Sequence, residues 1–223
     1  MNGRDSNILT VEDPIEYTLP GIGQTQVNAK TGYSFASGLR SILRQDPDIV
    51  MVGEIRDKDT ATTAIQASLT GHLVLSTVHT NSAIGAITRL RDIGVASYLL
   101  ASSIKGILAQ RLLRKLCNNC KVERLVNSIE IEAFGLEKDE VVFDAQGCAN
   151  CLNTGYLGRI PIAEAITIND ELKSKIHSEL SEQEIYKDLS ANNLSLKSSI
   201  RNLLVAGMIS PAEALAMVNL NNA

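Results

Sequence analysis

The sequence predicts an α/β protein built on a mostly parallel sheet, and three observations carry that prediction. Three short runs, Ile8 to Val11, Ile49 to Val52 and Leu73 to Thr77, are almost continuously apolar, as strands buried on both faces are. Segments of helical periodicity fill the gaps between them, the alternation from which parallel sheets are made. The 223 residues are 44% apolar, enough for one ordinary domain of roughly 150 residues plus a smaller appendage, and they exclude whole-chain disorder.

Taken in order, the first run ends in Glu12-Asp13-Pro14-Ile15-Glu16. Ser34 is a plausible N-cap for a helix in which Phe35, Leu39, Ile42 and Leu43 recur near a 3.6-residue period, and Asp46-Pro47-Asp48 stops it. The second run ends in Gly53-Glu54-Ile55-Arg56-Asp57. Asp57 or Asp59 then caps a helix with Ala61, Ala64, Ile65 and Leu69 on its buried stripe and Gly71 just past its end. The third run ends in Thr77-Val78-His79-Thr80-Asn81. Ala83 to Asp92 and Tyr98 to Leu116 read as two further helices. Ser181 to Ala223, with Leu189, Leu194, Leu196, Ile200, Leu203, Leu204 and Val205, reads as a helical subdomain.

Charge places a boundary. Residues 1 to 116 hold 12 Lys/Arg against 10 Asp/Glu, whereas residues 117 to 223 hold 9 against 15. The change falls at the first cysteine pair, so the expected domains are 1–116, a cysteine-bearing 117–155 and a mainly helical 156–223. An acidic C-terminal half argues against a nucleic-acid partner, which needs a basic surface to neutralise phosphates. The weakly polar stretch Ile93 to Leu108 is too short to span a bilayer and contains Lys105, and nothing at the N-terminus reads as a signal peptide. The expectation is a cytoplasmic protein whose four cysteines hold metal in preference to disulfides.

In open α/β sheets ligands bind outside the carboxyl ends of the strands, so the three polar clusters should face one pocket. An apolar strand delivering a carboxylate at its end is what a nucleotide hydrolase needs beside hydrated Mg²⁺, which makes Glu54 the metal-side candidate; capping of the next helix or pairing with Arg56 is the structural alternative. One carboxylate of Glu12, Asp13 and Glu16 can orient or deprotonate an attacking water, or all three are solvated turn residues. Arg40 and Arg44 lie four apart on one helix face, as phosphate contacts from a neighbouring subunit or as ordinary surface cations. His72 and His79 flank the third run, with Thr77 between them. Hydroxyl and imidazole groups at a strand end suit sensing of a γ-phosphate, and for His79 a structural hydrogen bond is the alternative.

Cys117-Asn-Asn-Cys120 and Cys148-Ala-Asn-Cys151 form two C-x-x-C pairs, the spacing of tetrahedral structural zinc sites. A redox site needs one such pair, and this chain has two. Gly147, Gly155 and Gly158 suit the turns around the second pair.

On these segments the chain resembles the type II secretion and type IV pilus assembly ATPases, the general secretion pathway protein E group. Ile8-Leu-Thr-Val-Glu-Asp-Pro-Ile-Glu-Tyr17 resembles that family's aspartate box. Gly38-Leu-Arg-Ser-Ile-Leu-Arg-Gln-Asp-Pro-Asp-Ile-Val-Met-Val-Gly-Glu-Ile-Arg-Asp57 resembles its arginine-bearing helix and Walker B segment. Ser68-Leu-Thr-Gly-His-Leu-Val-Leu-Ser-Thr-Val-His-Thr-Asn81 resembles its histidine box, and Ala109-Gln-Arg-Leu112 with the cysteine pairs continues the match. The resemblance implies part of a RecA-like P-loop core, Glu54 assisting Mg²⁺ and water, and Glu16 or Glu12 as base. It also implies Arg40, Arg44 and Arg56 as phosphate or subunit contacts, structural Zn²⁺, and ATP as substrate. A hexamer working with inner-membrane secretion or pilus platform proteins, and so peripheral at that membrane, is implied as well.

No G-x-x-x-x-G-K-[ST] occurs in the sequence, and the family places that phosphate cradle upstream of its aspartate box. The expectation is therefore a C-terminal part of such a motor that binds ATP weakly or not at all alone. The alternative is a non-catalytic, zinc-stabilised module docking on an inner-membrane partner through Arg111, Arg114 and Lys115.

Overall fold

The computed structural model describes residues 2–3, 6–80, 82–187, 189 and 195–221, with only the backbone for 219–221; Asn81 and Leu194 lie outside the described residues. In chain order the elements are β1 (Ile8–Glu12), β2 (Gly23–Gln26), α1 (Phe35–Ile42), β3 (Ile49–Val52), α2 (Lys58–Leu69), β4 (Leu73–Ser76), α3 (Gly85–Asp92) and α4 (Ser97–Ser103). There follow β5 (Gly106–Leu116), β6 (Lys121–Leu125), α5 (Ser128–Phe134), β7 (Val141–Ala145), β8 (Tyr156–Thr167), α6 (Asp170–His177), α7 (Glu182–Lys187), α8 (Leu196–Val205) and α9 (Pro211–Asn221). They fall into two compact units: 1–105 with 168–188, and 106–167 with 189–223.

The first unit is built on a parallel sheet of order β2-β1-β3-β4. Val11, Val50 and Val52 of the central strands are fully buried, and Leu39 and Ile42 of α1 pack into the same core. Helix α1 begins where the sequence predicts: the Ser34 hydroxyl accepts the Ser37 amide while the Ser37 hydroxyl accepts the Ser34 amide. Gly38 lets α1 lie close on β1, since a Cβ there would stand 2.9 Å from Val11 Cγ1. Asp57 caps α2 by accepting the Thr60 amide and hydroxyl. Asn7 fixes the turn before β3, donating its side-chain amide to the carbonyls of Gln45 and Asp46 while its backbone N–H donates to the Asp48 carboxylate. The returning segment 168–188 is held by Arg91, which donates to the Ile176 and Leu180 carbonyls at the end of α6, where a cation meets the negative helix terminus.

β4 differs from its neighbours. It forms one edge of the sheet, and Leu73 and Leu75 are 39% and 42% exposed where Ile8 to Val11 of β1 are buried. An apolar edge strand uncovered in this way presents free backbone donors and acceptors.

The second unit pairs β5 with β8 and β6 with β7, both antiparallel. Its core joins Leu113, Phe134, Val142 and Ile162 to Ile200, Leu204 and Ile209. Arg124 bridges two carboxylates, with Nη2 at 2.5 Å from Glu130 Oε1 and Nε at 2.6 Å from Asp144 Oδ2. That guanidinium holds the Glu130 carboxyl below its ordinary range, against the opposing effect of burial.

One sequence reading is corrected here, and two further features of the fold differ from what the sequence suggested. Tyr98 to Leu116 is not one helix: α4 ends at Ser103, Ile104 turns extended, and Gly106–Leu116 is a long strand. The helix-forming composition of that stretch yields to its pairing with β8, a tertiary override of local propensity. β2 went unread because Gly23-Gln-Thr-Gln26 carries no apolar side chain. The units also differ from the expected 1–116, 117–155 and 156–223. Because β5 pairs with β8, the cysteine region and the last two helices share one core, while α6 and α7 belong with the parallel sheet.

Candidate functional site

The parallel register sets Val11, Val52 and Ser76 side by side, so the next residues of β1, β3 and β4 emerge together at the carboxyl edge. The strand ends are then stitched to one another. Gly53 N–H donates to the Val11 carbonyl at 2.8 Å, Ile55 N–H to the Thr77 carbonyl at 3.0 Å, and the Thr77 hydroxyl to the Gly53 carbonyl at 2.6 Å. Gly53 permits this approach: a Cβ there would sit 3.3 Å from the Val11 carbonyl oxygen and 3.4 Å from both Glu12 Cα and the Phe35 ring.

Glu54 follows and is buried, at 8% exposure. Its Oε2 stands 2.5 Å from Arg56 Nε and 3.3 Å from His79 Nε2, while the Arg56 and His79 side chains are largely exposed. These are charge contacts without hydrogen-bond alignment, and Oε2 is a buried carboxylate oxygen with no directed donor. A buried acid in that condition is poised to accept a hydrogen bond from water or to face a hydrated cation. Glu54 is thus the acid at this edge whose chemistry suits the water shell of Mg²⁺, through one oxygen that Arg56 now contacts.

The other acids differ from one another. Glu12 is half-buried, and its Oε1 accepts both the Thr10 hydroxyl at 2.5 Å and the Gln24 side-chain amide at 2.8 Å. Glu16, four residues on, is exposed and makes no hydrogen bond or ion pair among the described residues. Asp13 is exposed also, joined to Pro14 by a cis peptide.

Of the remaining sequence candidates, Thr77 and Arg56 join Glu54 and His79 at this edge. His72 does not. It precedes β4, about 16 Å along the strand from Thr77 at roughly 3.3 Å per residue, and its Nδ1 lies 2.9 Å from the Ala67 carbonyl at the end of α2. Arg40 and Arg44 are exposed on the last turn of α1 and just beyond it, toward the end of the helix that leads into β3. Asp48, the expected alternative partner of Arg44, accepts the Asn7 amide. Sequence reasoning missed Thr10 and Gln24, both polar and both on strands. The one signal for them was the two-residue alternation of Gln24 and Gln26.

The second unit carries a separate candidate metal centre. Cys117 directly follows β5, Cys120 precedes β6, Cys148 follows β7 and Cys151 lies in the turn between Cys148 and β8, so the four thiols gather where both two-stranded sheets end. All four sulfurs lie within 4.8 Å of one another, and none forms a disulfide. The separations are 3.9 Å for Cys117–Cys148, 3.8 Å for Cys120–Cys151 and 3.7 Å for Cys148–Cys151. Tetrahedral zinc with sulfurs at about 2.3 Å requires edges of about 3.8 Å, so the residues fit the ion. Backbone donors support the site: the Cys148 and Gly155 amides each lie 3.2 Å from Cys151 Sγ. Burial opposes ionisation of the Cys151 thiol, but those donors prevail and lower it to about 6, whereas burial lifts the Cys120 thiol to about 12.

The basic patch near this centre is partly engaged within the chain. Arg114 donates from Nε and Nη2 to Glu213 Oε2 at 2.8 and 2.6 Å and lies over the Tyr156 ring at 4.2 Å. Arg111 is also partnered.

Comparison with known proteins adds three findings. Residues 1–216 match the profile of a family described as Type II/IV secretion system protein. The type II secretion system protein E of Pseudomonas aeruginosa is 52% identical over 217 residues, and the type II secretion system ATPase E of Vibrio cholerae is 49% identical over 217; each match covers 96% of this chain and 43% of the relative. This chain thus spans less than half the length of those relatives. Among solved structures, that of the pilus retraction motor PilT with bound ADP superposes with a TM-score of 0.68 at 29% identity, covering 95% of this chain and 52% of that one.

Proposed function

The chain belongs to the Type II/IV secretion system protein family, and from that premise we propose that it is the hydrolytic part of a secretion ATPase. In this reading its strand-end acids act on ATP whose phosphates are cradled by a loop in a longer polypeptide. The observation that carries the reading is the buried, undirected Oε2 of Glu54 at 3.3 Å from His79 on the carboxyl edge of a parallel sheet.

Each residue then has a physical task. Glu54 would hold the water shell of Mg²⁺, whose charge would stabilise that developing on the phosphate oxygens. Glu16 is the base that takes the proton of the attacking water at its carboxylate, because its side chain is exposed and has no partner among the described residues, a condition that of its neighbours only Asp13 shares, whereas Glu12 is already committed to Thr10 and Gln24. His79 reports the γ-phosphate to Glu54 by holding its imidazole N–H toward one or the other. Thr77 fixes the strand ends through the Gly53 carbonyl. Arg56, exposed and ion-paired with Glu54, and the exposed Arg40 on α1 and Arg44 just beyond it are the cations placed to meet phosphate or a neighbouring subunit in a hexamer.

The open edge of β4 supports the partial-core reading: it is where a further parallel strand joins, bringing a phosphate loop to the same carboxyl edge. In the cell, this reading sets the motor on the cytoplasmic face of the inner membrane, held there by platform proteins of a secretion or pilus system. The non-catalytic docking module loses ground, because Arg114 of its basic patch is spent on Glu213 and Tyr156. Steady-state ATPase measurements test the proposal. The chain alone should show no turnover, a version extended upstream by a phosphate loop should hydrolyse ATP, and Glu54→Gln should abolish that activity. Full activity in the extended Glu54→Gln variant would reject the reading.

A further inference from the structure

β2 contributes no core side chain, yet one of its polar residues ties together the whole strand-end segment that follows β1. The Gln24 side-chain amide nitrogen donates to Glu12 Oε1 at 2.8 Å and to the Tyr17 carbonyl at 3.0 Å, and its amide oxygen accepts the Leu19 N–H at 2.7 Å. Thr10, itself buried, supplies the second donor to the same Glu12 oxygen at 2.5 Å. Glu12 and Gln24 are fixed laterally by adjacent parallel strands, with Thr10 in direct register with Gln24 and Glu12 with Gln26. Residues 13 to 19 are therefore anchored at both ends by a single amide: through Glu12 at the start and through Tyr17 and Leu19 at the end. Glu16 sits inside that span.

We propose that Gln24 is a positioning residue for Glu16, and that Glu12 is its anchor and not the base. The inference rests on the functional reading given above. An amide of either orientation has one donor side and one acceptor side, and this site uses both: the nitrogen meets two oxygens and the oxygen meets one N–H. Replacement by Leu removes all three bonds. Replacement by Glu keeps the bond from Leu19 but loses the donor to the Tyr17 carbonyl and sets two carboxylates against each other at positions 12 and 24. A swapped pair, Glu12→Gln with Gln24→Glu, rebuilds one amide-to-carboxylate bond across the strands with the roles exchanged, retains an acceptor for Thr10 and for Leu19, gives up only the donor to the Tyr17 carbonyl, and leaves no carboxylate at position 12.

Two measurements decide the matter. In this chain, amide hydrogen exchange followed by NMR should show Leu19 exchanging at least about 10-fold faster in Gln24→Leu, with Gly53 in the sheet unchanged, and the swapped pair should return Leu19 toward its original rate. In the chain extended by a phosphate loop, Gln24→Leu and Gln24→Glu should each lower kcat by about 10- to 100-fold with KM within about twofold, the scale of a displaced catalytic group. The swapped pair should recover most of that kcat. A swapped pair whose Leu19 protection returns while kcat stays as low as in Glu16→Gln would overturn the inference, since it would make Glu12 itself the base. Unchanged kcat in Gln24→Leu would also overturn it, provided that Glu16→Gln abolishes turnover. Undiminished turnover in Glu16→Gln would instead overturn the functional reading on which the inference rests.

Discussion

Removing one sulfur from the four-thiol centre should destabilise the second unit far more than an ordinary side-chain truncation. The perturbation is Cys151→Ser, chosen because Cys151 is 3% exposed and its sulfur accepts two backbone N–H groups that the substitution would reorganise. Ligation of structural zinc is worth about 10–16 kcal/mol in small zinc-dependent folds, against about 5–15 kcal/mol for the net stability of a whole domain. Here the unit has a core of its own, with Phe134, Leu204 and Ile209 buried, so part of the structure survives without the metal. If a quarter of the ligation energy is unrecoverable, the loss is about 3 kcal/mol, and at about 4–8 °C per kcal/mol the unit melts about 12–24 °C lower. Calorimetry on the wild-type chain and the variant gives the shift, and elemental analysis gives the metal, expected at about one zinc per wild-type chain by the tetrahedral fit. Wild-type protein that purifies without metal, or a variant with unchanged metal content and melting temperature, would refute the argument.

Acid should weaken the same unit. Arg124 holds the Glu130 carboxyl below its ordinary 4.5 in the folded state, so the stabilisation is complete above 4.5 and is lost as the pH falls toward the lowered folded value. Urea midpoints measured between pH 6 and pH 3 should fall along that window, and Glu130→Gln should flatten the fall at a cost of about 3 kcal/mol at pH 6, as for a broken buried pair. Gly38→Ala should destabilise the first unit by about 1–3 kcal/mol, because the added methyl meets Val11 Cγ1 at 2.9 Å and the Tyr33 ring at 3.2 Å; chemical denaturation reads this directly. Leu73→Lys combined with Leu75→Lys should reduce self-association of the chain in sedimentation experiments, because both leucines are exposed on an edge strand. An unchanged sedimentation profile from an associating wild type would show that the edge is not the contact.

Much of the parallel sheet was legible because its central strands are buried on both faces and so read as apolar runs; Ile49 to Val52 coincides with β3 residue for residue. The caps were legible for a related reason, since Ser34 and Asp57 are the side chains that accept the first orphan amides of α1 and α2. β2 was hidden because its side chains bond to a loop and not to a core. The β5 strand was hidden because residues 98–116 have a helical composition, and only β8, about fifty residues later, decides their conformation. At the candidate site, spacing revealed that Glu54 and His79 end neighbouring strands. It could not separate Glu12 from Glu16, because what distinguishes them is the set of bonds from Thr10 and Gln24, which depends on strand order.

The stitching at the carboxyl edge also bears on how the site responds to a ligand. Glu54, Arg56 and His79 are near one another because the Gly53 amide is bound to Val11 and the Thr77 hydroxyl and carbonyl are bound to Gly53 and Ile55. Those bonds are backbone bonds or end on backbone carbonyls, so the strand ends form a rigid frame. The side chains of Arg56 and His79 project from it into solvent, with exposures of 69% and 86%. A buried carboxylate facing two exposed side chains costs little to rearrange on the exposed side and much on the buried one. In the proposed reading, an anion arriving near His79 would draw the imidazole and guanidinium toward itself while the carboxylate stays in place, which would turn Oε2 from these charge contacts to water.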